Sequence, residues 1–447
     1  MRSAAAAPPG GPPVLRLGPV GALRAWRRDP LGLLRRAAAL GDVVRVPLAR
    51  FEAWLVNHPD AVHEVLVAEH RRFMKGPTMQ AAKLLLGESL LTSEGEFHRQ
   101  QRRLIQPLFR PERLRRYADA MVAHAERTAQ RWRPGAEVDV HAEMARLALG
   151  VVAEALFAAD VEQDEARAIG RALSAQLAQF GRIFSPLFPL SVRLPLPATR
   201  RFQATRELLD RTVRRMIAER RAAGATGDDL LSRLIAAEEE GLPGMTDRQV
   251  RDEALTLFLA GHETTAVALT WTWYLLGEHP EVEARLHAEL DEVLGGRPPA
   301  PDDLPRLRLA ERVVREAMRL YPPAWAMGRR ALEDVRIGGH LLPAGTVVVV
   351  SPYLLHRDPR WWDRPEAFRP GRWEEEAPAR PRLAYLPFGA GPRMCVGEPF
   401  AWMEAVLVLA ALGQRVRLRP VPGRAVALQP VVTLRPRGGL PMTVVPR

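Results

Sequence analysis

The sequence predicts a mainly α-helical chain with a minor β lobe, and two observations carry that reading. Helix-period apolar patterns recur along most of the chain. They culminate in a run of roughly thirty residues, Thr246 to Gly277, which would span about 45 Å as one helix. Short β-branched stretches, by contrast, gather near residues 43–56, 335–351 and 431–434.

No Gly/Ser linker or abrupt change of composition divides the 447 residues. Residues 20–447 are therefore read as one domain behind a flexible tail over residues 1–19, rich in Ala, Pro and Gly. That tail has no continuous apolar segment, so neither a signal peptide nor a membrane anchor is expected. One cysteine excludes a disulfide framework and suits a reducing cytoplasm. The formal charge of +12 is almost all arginine, because lysine occurs only at Lys75 and Lys83. Codon bias or heat resistance accounts for that as well as a partner does. No nucleic-acid motif or aromatic–basic platform accompanies it, so nucleic-acid binding is not expected.

In chain order, a short helix is expected near Leu31–Leu40, then strands at Val43–Pro47 and Ala53–Val56. His58-Pro-Asp60 starts a helix to about Ala68. Phe73–Glu94 mixes apolar residues with Gly76-Pro77 and Gly87 and reads as loop plus short helix. His98 and Arg102, four apart, share one face of the next helix. Helical patterns follow at Leu114–Trp132, Val140–Phe157, Glu162–Phe180 and Arg201–Ala223. Between the last two, Phe180–Pro197 carries apolar residues among prolines and reads as a connector packed on the core. Thr246-Asp-Arg-Gln249 fits a capping box at the start of the long helix. The centre of that helix is apolar enough to raise a transmembrane alternative. The ionisable pair His262-Glu263 at mid-depth argues against lipid and for a buried core helix.

The chemistry concentrates in Phe388-Gly-Ala-Gly391-Pro-Arg393-Met-Cys395-Val-Gly397. Its glycines let the backbone turn tightly. Glu398-Pro399 then opens a helix to about Leu412, with proline in the first turn. Cys395 therefore lies near the positive helix end, where a thiolate is favoured. A lone thiolate cannot complete a tetrahedral zinc site or a cysteine-only cluster. Taken alone, such a residue is usually an inert buried thiol.

The pattern Phe388-x-x-Gly391-x-Arg393-x-Cys395-x-Gly397 resembles the haem-binding signature of the cytochrome P450 family. Ala260-Gly261-His262-Glu263-Thr264-Thr265 resembles the family's oxygen-activation motif, and Glu316-x-x-Arg319 its helix motif. The arginine that would complete that last network is Arg372, in Arg-Pro-Gly-Arg372-Trp373, where the family often has Pro-Glu-Arg-Phe. These motifs occur in the family's order and span nearly the whole chain.

The resemblance implies the family's triangular-prism fold and non-covalent haem b (iron protoporphyrin IX). Cys395 would be the axial iron ligand, Phe388 its shield, and Gly391, Gly397, Ala260 and Gly261 close neighbours of the cofactor. His98, Arg102, Arg329 and Arg393 would hold the propionates, with Arg330 as the rival of Arg329. Thr264 would hydrogen-bond oxygen and Glu263 would relay protons. Glu316, Arg319 and Arg372 are assigned to folding. Trp325 and Met327 resemble pocket-lining positions, though either could equally be core. The segment 180–197 resembles a mobile lid. The expected reaction takes O2 and two electrons from separate proteins, a ferredoxin and its reductase, docking where Arg99, Arg102 and Arg103 add positive charge. A peroxide-driven enzyme and a haem-based sensor are the rivals. Arg319–Trp325 and the ending from Val432 are similar to carotenoid-hydroxylating family members of thermophilic bacteria, so a carotenoid or fatty acid is the expected substrate. A cytoplasmic monomer is expected.

Overall fold

The structure, a computed structural model, describes residues 11–48, 51–157, 197–224, 227, 229–239, 245–374 and 380–447. The expected helix 162–180 and the lid-like segment 180–197 lie outside the described residues, apart from Pro197. Most of the described chain is helical, with four sheets and the connecting turns and loops beside the helices.

Helix α2 (Pro30–Ala38) stands at the expected 31–40, and α1 (Pro19–Arg28), which was not expected, precedes it; Asp29 separates the two and caps α2 by accepting from Gly32 N–H. The tail is also shorter than the sequence suggested. Arg45 N–H donates to Pro13 O at 2.8 Å and Leu15 N–H to Arg45 O at 2.9 Å, and Leu15 is buried. Apolar side chains at 14, 15 and 17 give this segment something to bury.

The main sheet has five strands in the order β1-β2-β8-β5-β3. These are β1 (Val43–Leu48), β2 (Phe51–Val56), β3 (Phe73–Lys75), β5 (Met327–Ala331) and β8 (Val347–Val350). Only the β2–β8 pairing is parallel. Strand β4 (Glu137–Asp139) joins β9 (Val416–Pro420) and β12 (Pro441–Pro446) in a second sheet. Hairpins β6–β7 (Val335–Ile337, His340–Leu342) and β10–β11 (Leu428–Pro430, Leu434–Pro436) complete the lobe.

The helical part is organised around α10 (Asp247–Glu278), the longest described helix. The preceding helices that matter here are α3 (Pro59–His63), α4 (Pro77–Leu86), α5 (Gly95–Ile105), α6 (Ala118–Arg131), α7 (Val140–Phe157), α8 (Pro197–Ala222) and α9 (Leu230–Glu239). Those that follow are α11 (Pro280–Leu294), α12 (Arg308–Leu320) and α13 (Glu398–Gly413). Helices α7, α12 and α13 all pack on α10. Thr246 Oγ1 caps α10 through Gln249 N–H at 3.2 Å. The reciprocal half of the capping box is not made: the Gln249 amide donates to Glu88 O and Glu253 instead. No helix among the described residues is long and apolar enough to cross a membrane.

Glu316 and Arg319, both fully buried, tie the region ahead of the cysteine loop together. Arg319 makes a forked pair with Glu316 at 2.9 Å on each branch, and Arg372 Nε donates to Glu316 Oε1 at 2.8 Å. Trp373, where the family often has phenylalanine, donates its indole N–H to Glu316 Oε2 at 3.0 Å. The departure therefore adds a donor and leaves the network closed, as a buried carboxylate requires.

Candidate haem and oxygen site

Cys395 sits in a loop built by two left-handed glycines. Gly389 and Gly391 have φ of 74° and 71°. At Gly391 a Cβ would also run into the Leu66 carbonyl oxygen, in the helical turn that follows α3. Gly397 differs from that expectation. Its φ is −85°, and an added Cβ would meet Phe109 at 3.7 Å and the Cys395 sulfur at 3.9 Å, both ordinary contacts. It serves as the residue before α13, whose first N–H groups face the sulfur. Cys395 N–H donates to Phe388 O at 2.9 Å, closing the loop, and the Phe388 ring packs on Trp402 at 5.7 Å.

The Cys395 sulfur is open to space on one side, yet protein encloses it on the others. Desolvation pushes its thiol pKa up, opposed by the N–H groups of Gly397 and Glu398 and by the Arg102 charge. The donors needed by a thiolate are therefore in place, and a cation on the open side would complete its stabilisation.

Beside the loop lies a cluster of cations. Lys75 on β3 pairs directly across from Arg329 on β5. Its ammonium is buried, donates to Leu90 O and Ser93 O at 2.9 Å each, and burial with Arg393 nearby lowers its pKa to about 7. Burial lowers Arg329 to about 10, again with Arg393 contributing. His98 is buried, and desolvation plus Lys75, Arg393, Arg102 and Arg329 lowers it to about 3, so the imidazole is neutral. Arg393 pairs with Glu94 while its Nη1 is buried without a partner. Arg330 is exposed, since the pleat turns it away from Arg329.

This set fits a haem. Cations this close repel one another, and among the described residues Glu94 and, more weakly, Glu253 offset that repulsion. Two propionates would supply the missing negative charge and a partner for Arg393 Nη1. Lys75 and Glu94 were not among the residues singled out from the sequence. The one available signal was that Lys75 is one of two lysines in a chain that otherwise uses arginine.

The expected oxygen-side motif lies on α10. From Gln249 to Leu276 every residue is buried except Ala260, Gly261, Thr264 and Tyr274. Ala260, Gly261 and Thr264 share one face, so the helix opens at its midpoint. Thr264 Oγ1 donates to Ala260 O at 2.9 Å, the one-turn back-bond expected from its position. Gly261 has a packing role: an added Cβ would lie 2.9 Å from Val152 Cγ2 on α7. Glu263 is buried on a neighbouring face and held by the C-terminal hairpin, accepting from Thr433 Oγ1 at 2.8 Å and Arg435 Nε at 2.6 Å. Nothing in the local sequence announced that pairing.

The structure separates three of the expected positions. Trp325 packs in the core beside Leu31, Leu33 and Tyr353, and its indole N–H donates to Val431 O at 3.1 Å, so it is a core residue. Met327 does border the cysteine loop, with its sulfur 3.8 Å from the Cβ position of Gly389. Arg102 turns inward and donates to Met394 O at 2.7 Å, which leaves Arg99 and Arg103, both paired with Glu96, as the surface charges of that helix.

The family model described as Cytochrome P450 matches residues 8–438. The chain is 42% identical to cyclooctatin synthase of Streptomyces melanosporofaciens, over 94% of this chain and 92% of that protein. It is 41% identical to cyclooctat-9-en-7-ol 5-monooxygenase of the same organism, with the same coverage. It is 38% identical to pentalenene oxygenase of Streptomyces avermitilis, over 91% of this chain and 92% of the relative. The chain belongs to the cytochrome P450 family. It is accordingly a haem-dependent monooxygenase that uses O2 and redox partners.

Proposed function

We propose that the protein inserts one oxygen atom of O2 into an apolar, cyclic terpenoid, with Cys395 as the axial ligand of its haem. The carrying observation is the cluster of Lys75, Arg102, Arg329 and Arg393, with the neutral imidazole of His98 among them, set against the Cys395 loop, a donor set suited to two propionates. Haem held by a thiolate favours O–O cleavage, and the overall balance consumes O2, two electrons and two protons to give one hydroxylated product and one water.

The chain's own residues do the rest. Gly397 and Glu398 N–H groups and Arg102 favour a thiolate at Cys395. The Thr264 hydroxyl, at the only opening near the middle of α10, gives up its bond to Ala260 O to hold a proton on the accessible face. Glu263 supplies that face with protons. The acid–alcohol pair supports O2 chemistry over a peroxide-driven cycle and over simple haem sensing.

Two relatives carry the names of a cyclic alkene and a cyclic alkenol as what they act on. That supports moving the substrate from carotenoids or fatty acids in general to cyclic isoprenoids. Electrons would come from a separate ferredoxin and its reductase. The lone cysteine suits a reducing cytoplasm, where the enzyme would work as a monomer.

Reduced protein with CO should show the red-shifted Soret band of a thiolate ligand, and Cys395→Ala should lose it. Substrate class is read by spin-state titration with cyclic terpenes, carotenoids and fatty acids. A shift with fatty acids alone refutes the terpenoid proposal. Full turnover on peroxide alone, unchanged in Thr264→Ala, refutes the monooxygenase cycle proposed for these residues.

A further inference from the structure

Between α4 and α5 the chain runs through Gly87-Glu-Ser-Leu-Leu-Thr-Ser-Glu94 with no helix or strand, yet Ser89, Leu90, Thr92 and Ser93 are buried. Backbone groups buried outside regular structure need other partners. This segment finds them at two places far apart in the chain. The first is the start of α10. Asp252 accepts from Glu88 N–H at 3.0 Å, Glu253 accepts from Leu90 N–H at 2.8 and 3.0 Å, and the Gln249 amide donates to Glu88 O. At Gly87 φ is 65° and a Cβ would run into the Asp252 carboxylate, so only glycine lets the segment lie this close.

The second is the cation cluster beside the Cys395 loop. Lys75 Nζ donates to Leu90 O and Ser93 O at 2.9 Å each, and among the described residues it bonds no other acceptor. One of the three ammonium hydrogens is thus left over. Glu94 closes the segment by accepting from Lys75 N–H at 2.7 Å and pairing with Arg393. Leu90 is therefore held through its N–H by α10 and through its carbonyl by the cluster. Inside the segment, Thr92 Oγ1 donates to Gly87 O at 2.7 Å and accepts from Ser89 N–H at 2.9 Å, which ties the two ends together.

We propose that residues 87–94 form a strap whose closure on α10 is coupled to haem loading, with Lys75 as the latch. This rests on the haem reading above. An anion at the cluster takes the spare hydrogen of Lys75 and offsets its repulsion by Arg329 and Arg393. The ammonium then stays where its other two hydrogens fix Leu90 and Ser93. Without that anion the same repulsion works against the latch, and the strap loosens from Asp252 and Glu253. A coupling free energy is reciprocal, so whatever loosens the strap must also loosen the haem.

The test is a double-mutant cycle on the holoenzyme, read as the rate of haem loss to an excess of a haem-scavenging protein. Thr92→Val changes side-chain volume little, removes both internal bonds of the strap and touches no residue of the cation cluster. It should speed haem loss by about two- to tenfold, the weight of an ordinary hydrogen bond. Glu253→Gln, which weakens the hold on Leu90 N–H, should act in the same direction. In the Lys75→Met background neither change should speed haem loss further, because the latch is already gone. Rates that multiply independently overturn the proposal. So does an unchanged rate in Thr92→Val, with Glu253→Gln deciding should that variant fail to fold. Hydrogen exchange across residues 87–94 of the holoenzyme is read alongside. It should rise in Lys75→Met by about tenfold or more, with residues 388–397 unaltered. Equal exchange in Lys75→Met and the wild type also overturns the latch. A protein that takes up no haem would sink the cofactor reading and this proposal with it, an outcome distinct from any pattern of rates.

Discussion

Lys75 and Arg329 stand directly opposite each other across β3 and β5, two cations on one face of a short antiparallel ladder. Like charges so placed are destabilising unless an anion lies between them. The pair is therefore a liability in the protein alone and an asset toward a carboxylate ligand.

Replacing Lys75 by Met should separate those two effects. The haem-free protein should melt at a higher temperature, because a buried ammonium and its repulsion of Arg393 and Arg329 are gone. Haem affinity, measured by titrating the haem-free protein, should weaken about tenfold or more, the worth of one charged hydrogen bond. A variant that binds haem as tightly as the wild type shows that Lys75 has no part in holding it.

Gly391 and Gly397 look equivalent in the motif and should respond differently. Gly391→Ala meets both a left-handed backbone, about 1–2 kcal/mol, and the Leu66 carbonyl. Haem incorporation should drop sharply. Gly397→Ala meets only ordinary contacts and should fold and load almost normally. Equal loss in both would contradict the distinction drawn from their φ angles.

Glu316→Gln leaves the Arg319 and Arg372 guanidinium groups buried around a neutral amide. Breaking a buried pair of this kind costs about 3–5 kcal/mol. Urea denaturation should register a loss of that size. A loss below about 1 kcal/mol would mean the network is relieved by water.

Glu404 on α13 is fully buried, and neither carboxyl oxygen has a hydrogen-bond partner closer than a nearby Thr265. Burial raises its pKa to about 8 from the ordinary 4.5. Between those values the folded protein binds more protons at this site than the unfolded chain does. Its contribution is whole below pH 4.5 and is lost as pH rises through about 8. Glu404→Gln has no such loss, so its melting temperature should gain on the wild type between pH 5 and pH 9. Parallel curves for the two proteins would dismiss an ionisable, buried Glu404.

The sequence by itself determined the helical class, the long central helix with its Thr246 cap, the order of the motifs and the cysteine loop. Those features are local: helix period, capping chemistry and tight glycine turns are all written within a few residues. It also supplied Glu316, Arg319 and Arg372, because the motif spacing could be read even though 53 residues separate Arg319 from Arg372. Tertiary structure alone decided that Lys75 joins the cationic cluster, that Trp325 is core, that Arg102 turns inward and that Arg435 holds Glu263. Each depends on side chains far apart in the chain meeting in a low-dielectric interior, where a partner is obligatory but its sequence position is free.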